Sequence, residues 1–203
     1  MILLLFAKSA ALGLAVAAPV GPMSLLCMRR TFDQGWRAGA ATGLGVALGD
    51  AAYAAMAALG LAGLSAWLVA HQGPLQAAAG LVLVYLGLRT LLRRPATAAV
   101  PQPEAGGLRA TGGAFLLTLA NPPTIVMFAA LFTALAPAVG FGAVAAVTTT
   151  VGVFAGSLLW WGGVIAVVSM ARRGLGPGVR LWIDRLSGAV LVAFGAVQLA
   201  QAF

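Results

Sequence analysis

Charged side chains are scarce in this sequence. Of 203 residues only 8% are charged, four of them Asp or Glu, whereas 62% are hydrophobic. The mean hydropathy is +1.01. A soluble domain carries roughly 25% charged residues and is about half apolar. Because so few charges cannot cover a protein surface in water, the composition predicts a chain that folds in lipid.

The side chains that most catalytic sites use are also rare. There is one cysteine, Cys27, and one histidine, His71. A single cysteine excludes an internal disulfide and a dithiol redox site, and no cluster of His, Cys and carboxylate residues has the spacing of metal ligands. The sequence contains no glycine-rich motif for ATP phosphates. We therefore expect no enzyme, no cofactor and no bound metal, and any transport to follow an ion gradient or to be passive.

The net charge of +8 has a distribution that favours a membrane over nucleic acid. Eleven of the twelve basic residues fall into three clusters separated by apolar runs, so no continuous basic stripe is available for phosphates. The clusters occupy the first, third and fifth loops of the predicted membrane protein. By the positive-inside rule these loops face the cytoplasm, and both termini lie outside. The clusters are Arg29, Arg30 and Arg37; Arg89, Arg93, Arg94 and Arg109; and Arg172, Arg173, Arg180 and Arg185.

Apolar runs divide the chain into six segments, at 2–28, 38–68, 75–92, 112–135, 138–170 and 181–203. Each is long enough to cross the roughly 30 Å hydrocarbon core as a helix. The pattern predicts an all-α, polytopic membrane protein with six transmembrane helices. Residues 93–111, rich in Pro, Ala and Gly, are predicted to be a cytoplasmic linker between two three-helix domains, 1–92 and 112–203.

The two halves contain an internal repeat. Residues 42–50 match residues 149–157 at four of nine positions, and residues 80–87 match 188–195 at five of eight, in nearly the same register. Because each half has an odd number of segments, the second half must enter the membrane from the opposite side. Inverted repeats of three helices are typical of secondary transporters, with binding sites where paired helices are broken by Gly or Pro.

Two proline motifs predict such breaks, Gly21-Pro22 in the first half and Asn121-Pro122 in the second. Asn is a preferred N-cap and Pro fits the first helical position. A helix that starts inside the membrane presents unpaired N–H groups and about half a positive charge, which suits a carboxylate. An ordinary proline kink is the alternative. The predicted substrate-binding residues are Pro19, Gly21, Pro22, Asn121, Pro122, Pro123 and Ser157.

Asp50 is the only acidic residue deep inside a predicted segment. Placing an Asp at the bilayer centre costs about 2.5–3.5 kcal/mol on insertion scales, so such a residue usually faces a cavity or a partner. We predict that Asp50 binds a substrate ammonium group or exchanges a proton, with a structural hydrogen bond as the alternative. At about 1.5 Å per residue, Gly21, Asp50, Asn121 and Ser157 lie roughly 12–22 Å from the basic clusters, near the bilayer midplane.

Glycines on the second and fifth segments predict close helix packing. Gly39, Gly43, Gly45 and Gly49 form small-xxx-small pairs, and Gly152 with Gly156 repeats one of them. We expect these glycines to pack helices within the chain, and a homodimer seam stays open. Trp160 and Trp161 follow on the fifth segment, and two interpretations stay open: they anchor the helix at the membrane interface, or, since they lie deep enough, they line a cavity.

Taken together, the residues quoted resemble the LysE/RhtB family of amino-acid exporters. The similarity rests on Pro19 to Pro22, on Gly49-Asp50, on the 80–87 run and on Asn121-Pro122. It implies a multi-pass protein of the bacterial plasma membrane that exports amino acids or related small molecules, by exchange for protons. Asp50 resembles an acidic position of members that export basic amino acids. Those members have a second acid after Asn-Pro, which residues 124–128 lack, so a neutral or modified amino acid is favoured.

Two other functions stay open at this point. A wider superfamily with a related fold includes exporters of inorganic cations, although this chain has few side chains in its segments that could ligate a metal. The chain could also be a membrane scaffold without transport activity.

Overall fold

The computed structural model describes residues 2–19, 21–59, 70–92, 107–121, 124, 127–128, 142–171 and 177–202. Seven α-helices, and no strands, are found in these ranges. They are α1 (Ile2–Ala17), α2 (Pro22–Gln34), α3 (Trp36–Ala58), α4 (Gln72–Leu91), α5 (Gly107–Leu119), α6 (Ala143–Ala171) and α7 (Pro177–Gln201). The chain is therefore all-helical where it is described, as its composition predicts.

The first predicted segment is not one continuous helix. α1 ends at Ala17, and α2 starts at Pro22 with its axis turned by 83°. Gly21 is in an extended conformation before the helix, and Pro22 takes the first helical position, where its missing N–H costs nothing. α2 then continues to Gln34, beyond the predicted segment end at residue 28. It packs among α3, α5, α6 and α7, so this short helix lies inside the bundle.

A single residue, Gly35, joins α2 to α3. Its φ of 94° lies in the left-handed region that glycine adopts readily. Gly35 N–H donates to Thr31 O, and Gly39 N–H donates to Gly35 O, so the corner is hydrogen-bonded on both sides. The loop predicted between the first two segments is thus reduced to one turn residue.

The glycine pattern predicted close packing, and the helices meet at these glycines. A Cβ added to Gly43 would lie 2.9 Å from Trp161 Cβ on α6, and one added to Gly49 would lie 2.6 Å from Thr118 Cγ2 on α5. On α6, a Cβ at Gly152 would lie 2.6 Å from Ser9 Cβ on α1. The small residues are therefore used inside the chain, where they let three pairs of helices approach closely.

These contacts also set helix directions. Gly43 meets Trp161 while Asp50 meets Ser157, so α3 and α6 are antiparallel. α3 and α5 are parallel, because Gly45 meets Ala114 and Gly49 meets Thr118 further along both helices. α1 and α6 are parallel as well, since Gly152 meets Ser9 and Gly156 meets Leu14. It follows that α1 and α5, the first helices of the two halves, run in opposite directions.

The helices α4 and α7 form a separate close pair. A Cβ at Gly80 would lie 2.9 Å from Gly195 O, and one at Gly188 would lie 3.0 Å from Gly87 O. The pairing is antiparallel, and backbone meets backbone at both crossings. Large apolar side chains such as Tyr85 and Leu186 point outward on this pair and are more than 60% exposed, which is the arrangement expected of a surface in contact with lipid.

Among the described residues, two helices are long and apolar enough to cross a membrane, α4 and α6, and the broken pair α1–α2 makes a third. The sequence predicted six crossings. α3 is rich in Gly and Ala, which are only weakly apolar, and α5 has 13 residues because it stops at the second proline motif. α5 also begins at Gly107, inside the predicted linker. Residues 60–68, 129–135 and 138–141 of the predicted segments lie outside the described residues.

Candidate functional site

A cavity of about 150 Å³ lies where the break between α1 and α2 approaches α3, α6 and α7. In another protein a cavity of this size binds benzene, so it can hold a small solute. Its polar lining residues are Ser24, Asp50, Asn121 and Thr124, and the others are Val16, Ala17, Pro19, Gly21, Pro22, Met23, Val46, Met127, Trp161 and Phe194. A mostly apolar wall with a few convergent polar groups is the usual make-up of a small-molecule site.

Asp50 is the only acidic residue among the described residues that line the cavity. It is 2% exposed, and Ser157 Oγ donates a hydrogen bond to Asp50 Oδ2 over 2.7 Å. Ser157 itself is fully buried behind the carboxyl group. Lys8, the basic residue on α1, is exposed. A buried carboxyl group held by one hydroxyl, facing a cavity, can take up a proton or bind a cationic group.

The N-terminus of α2 opens onto the same cavity. Gly21, Pro22, Met23 and Ser24, the residues that form its first turn, all line the cavity. No side chain caps this end of the helix, and Ser24 Oγ donates back to Pro19 O instead. The first turn of an α-helix has N–H groups without intrahelical partners, so the cavity receives hydrogen-bond donors and the positive end of a helix dipole.

The second proline motif interrupts its helix as well. α5 ends at Leu119, Asn121 is not helical, and Thr124 is helical again. Tyr53 Oη donates to Leu119 O over 2.6 Å, which satisfies a carbonyl group at the end of α5, and the Tyr53 ring stacks on Phe128. Tyr53 thereby links α3 to both sides of the interruption.

Asn121 is 9% exposed and also lines the cavity. Its Nδ2 donates to Thr124 Oγ1 over 3.0 Å, and Thr124 N–H donates to Asn121 O. Asn121 Oδ1 is buried and accepts no hydrogen bond within the described structure. Buried polar atoms are normally paired, so an acceptor left open at a cavity wall is available to a bound solute.

A basic end of the bundle lies away from this cavity. Arg30 Nη1 on α2 donates to Thr42 Oγ1 on α3 over 3.1 Å and to Ala110 O on α5 over 3.3 Å. Nearby, Thr111 Oγ1 donates to Ala41 O over 2.9 Å. These hydrogen bonds hold the C-terminus of α2 close to the N-termini of α3 and α5. One end of the bundle therefore carries Arg29, Arg30, Arg37 and Arg109.

A family model for the LysE type translocator matches residues 14–202, nearly the whole chain. The chain belongs to the LysE type translocator family. The resemblance drawn from the sequence motifs is thereby confirmed, and the chain is a membrane translocator. Neither the search of curated proteins nor the search of solved structures gave a match.

In this translocator, five of the eight predicted site residues line one cavity: Pro19, Gly21, Pro22, Asp50 and Asn121. Ser157, predicted as a substrate ligand, is placed behind Asp50 and contacts its carboxyl group. Pro122 and Pro123 lie outside the described residues. The roles of these residues stay predictions, whereas their convergence is an observation.

Several lining residues were not singled out from the sequence. Ser24 and Thr124 each follow a proline motif by two residues, so the first turn of a half-helix is a signal that could have found them. Phe194 on α7 has no such signal, because only the packing of α7 against α2 brings it to the cavity. Within the described ranges, no group of three His, Cys, Asp or Glu side chains is placed to hold a metal ion.

Proposed function

We propose that this translocator exports neutral amino acids or related small molecules, in exchange for protons, and that it is not an enzyme. One observation carries the proposal. Asp50, the start of α2 and the interruption at Asn121 all border one cavity of about 150 Å³. A helix N-terminus suits a carboxylate, and a buried carboxyl group suits an ammonium group or a proton. The cavity therefore offers a complementary group for each end of a zwitterion.

The apolar part of the cavity wall supports a neutral side chain on the substrate. Met23, Val46, Met127 and Phe194 contribute no charge, and Asp50 is the only carboxylate among the described lining residues. If Asp50 engages the α-ammonium group, none of these residues supplies a second acid for a lysine or arginine side chain. The small cavity volume also favours a solute of few heavy atoms.

The proposed architecture is six transmembrane helices in two inverted three-helix repeats. Its support lies in contacts between repeat-related positions: Gly80 meets Gly195 while Gly188 meets Gly87, and Asp50 bonds to Ser157, its own counterpart. In an inverted repeat, contacts of this reciprocal kind surround the pseudo-two-fold axis, and substrate sites lie there at the bilayer midplane. The opposite directions of α1 and α5 agree with this symmetry.

We place the protein in the bacterial plasma membrane with both termini outside. This orientation rests on Arg29, Arg30, Arg37 and Arg109, which share one end of the bundle, as the positive-inside rule requires of the cytoplasmic side. Export then starts at the basic end. The glycine surfaces of α3 and α6 are already used within the chain, so they do not support a homodimer seam. A homodimer through another surface is left open.

The test is proton-driven transport in vesicles containing Asp50→Asn. The amide keeps an oxygen that can accept from Ser157, so the local structure is preserved, but it cannot exchange a proton at neutral pH. L-Alanine, L-valine and L-methionine are suitable solutes, with an imposed pH gradient and a pH-sensitive dye inside the vesicles. We expect the variant to lose proton-coupled uptake. Asp33→Asn is the control, because Asp33 pairs with Arg29 away from the cavity.

The outcomes separate the roles of Asp50 and the competing functions. Loss of coupling with exchange of solute retained at an unchanged KM assigns the proton to Asp50, whereas exchange that persists only with a raised KM assigns the ammonium group. Full proton-coupled transport by Asp50→Asn would contradict the mechanism. Movement of a divalent cation in place of all three amino acids would favour a cation exporter, and no flux of either kind would favour a scaffold.

A further inference from the structure

Two tryptophans stand side by side on α6, and they differ in one respect. Trp160 and Trp161 each have a buried indole N–H that donates no hydrogen bond within the described structure. Trp161 lines the cavity, whereas Trp160 does not. Leaving a buried N–H group unpaired costs free energy, and tryptophan N–H groups usually find an acceptor when buried. A bound solute can supply that acceptor to Trp161 only.

The side chain of Trp161 is held firmly at the cavity wall. Trp161 is 2% exposed and packs in the main apolar cluster with Ala17, Met23 and Val46, which line the same cavity. Gly43 lies against its Cβ, so the side chain starts from a fixed position. Trp161 also follows Ser157 by four residues, which places both on the face of α6 directed at Asp50.

The donors and acceptors of the cavity then form two groups. The backbone N–H groups of the α2 first turn and Trp161 Nε1 can only donate, whereas Asp50 and Asn121 Oδ1 have oxygens that accept. We propose that Trp161 Nε1 donates a hydrogen bond to the carboxylate of the transported solute, together with the start of α2. This proposal rests on the proposed function and deepens it. It makes Trp161 a specificity-determining residue for solutes that carry an anionic oxygen.

The test compares Trp161→Phe with Trp161→His and with the control Trp160→Phe, each reconstituted in vesicles. Phe and His remove similar ring volume, but only His keeps a ring N–H donor. KM and kcat are measured for whichever of L-alanine, L-valine and L-methionine the wild type transports, and for the corresponding amino-acid amide. The thermal midpoint of each purified variant without solute shows whether it is folded.

We expect Trp161→Phe to raise KM about 10- to 100-fold, the range for a hydrogen bond to a charged group. Trp161→His should recover part of that loss, and Trp160→Phe should stay within about twofold of the wild type. Charged acceptors bind more strongly than neutral ones, so the preference for the acid over its amide should shrink in Trp161→Phe. A packing role would not change that preference.

Three results would overturn the assignment. These are a wild-type KM in Trp161→Phe, equal losses in Trp161→Phe and Trp161→His with an unchanged acid-to-amide ratio, and an equal KM increase in Trp160→Phe. Each of them leaves the amino-acid export of the wild type standing. If the wild type transports none of the three amino acids, the proposed function itself fails, and the Trp161 assignment fails with it.

Discussion

Replacing Gly156 by alanine should separate α6 from α1. A Cβ at Gly156 would collide with Ala10 O and lie 2.7 Å from Ala10 C and 2.9 Å from Leu14 N. All three atoms belong to the backbone of α1, so no rotamer change can make room. The two helices must move apart, and the contacts that surround this crossing, including that of Gly152 with Ser9, are lost or stretched.

The size of the effect follows from two opposing terms. Forcing a methyl group into a closely packed interior costs about 1–3 kcal/mol. Alanine returns part of this, since it is better than glycine in a helix by roughly 0.5–1 kcal/mol. Because the added methyl group would clash with backbone atoms, we expect a packing cost in the upper part of that range of about 1–3 kcal/mol. The net loss in the free energy of unfolding should then be about 1–2 kcal/mol. At about 2–4 °C per kcal/mol for a chain of this size, Tm should fall by roughly 2–8 °C.

The assay is thermal unfolding of the purified protein in detergent, followed by tryptophan fluorescence or by aggregation. Gly162→Ala is the matched control, because Gly162 lies on the same helix, is exposed, and would bring its added Cβ within 4 Å of no atom from another described helix. It should leave Tm unchanged or raise it slightly. If Gly156→Ala has the same Tm as Gly162→Ala and the wild type, α1 and α6 do not cross at Gly156.

Two further substitutions test the links around the helix interruptions. Tyr53→Phe keeps the ring stacked on Phe128 but leaves Leu119 O unpaired, so it should lower the free energy of unfolding by about 1–3 kcal/mol. The control is Tyr85→Phe at an exposed site, which should leave Tm unchanged in the same thermal unfolding assay. Arg30→Met removes both hydrogen bonds that tie α2 to α3 and α5, and should destabilise by a similar amount while the exposed control Arg37→Met does not. An unchanged Tm in Tyr53→Phe or in Arg30→Met would mean that the hydrogen bonds of that side chain do not form.

Proline and glycine positions carried most of what could be predicted about the site. Pro22 can only begin a helix or break one, and Asn before a proline is a preferred N-cap, so both interruptions were predicted from local backbone chemistry. The capping hydrogen bond is not seen, because Asn121 Oδ1 accepts none within the described structure. Asp50 is similarly conspicuous, because a lone acid in an apolar run needs a partner or a cavity. The helix ends were less accurate, since α2 reaches Gln34 and α5 starts at Gly107. A hydropathy pattern marks the apolar part of a helix, and it does not show how far the helix continues beyond the lipid.

The partners of these residues could not be read from the chain. Ser157 was predicted as a substrate ligand, yet its hydroxyl is used on Asp50, since the antiparallel crossing of α3 and α6 brings the two together. Trp160 and Trp161 were both predicted to be deep enough to line a cavity, but only Trp161 lines it, together with Phe194 from α7. Such neighbours depend on the direction and rotation of whole helices, and no local pattern encodes either.

The sequence by itself determined that the chain folds in lipid, that its fold is helical, and where its helices break. These depend on composition and on the conformational limits of single residues, which act wherever the residue occurs. Only the tertiary structure decided that two breaks, one carboxyl group and one indole N–H share a cavity. That outcome depends on which glycines allow α1, α3, α5 and α6 to approach backbone to backbone, and such an approach is a property of pairs of helices.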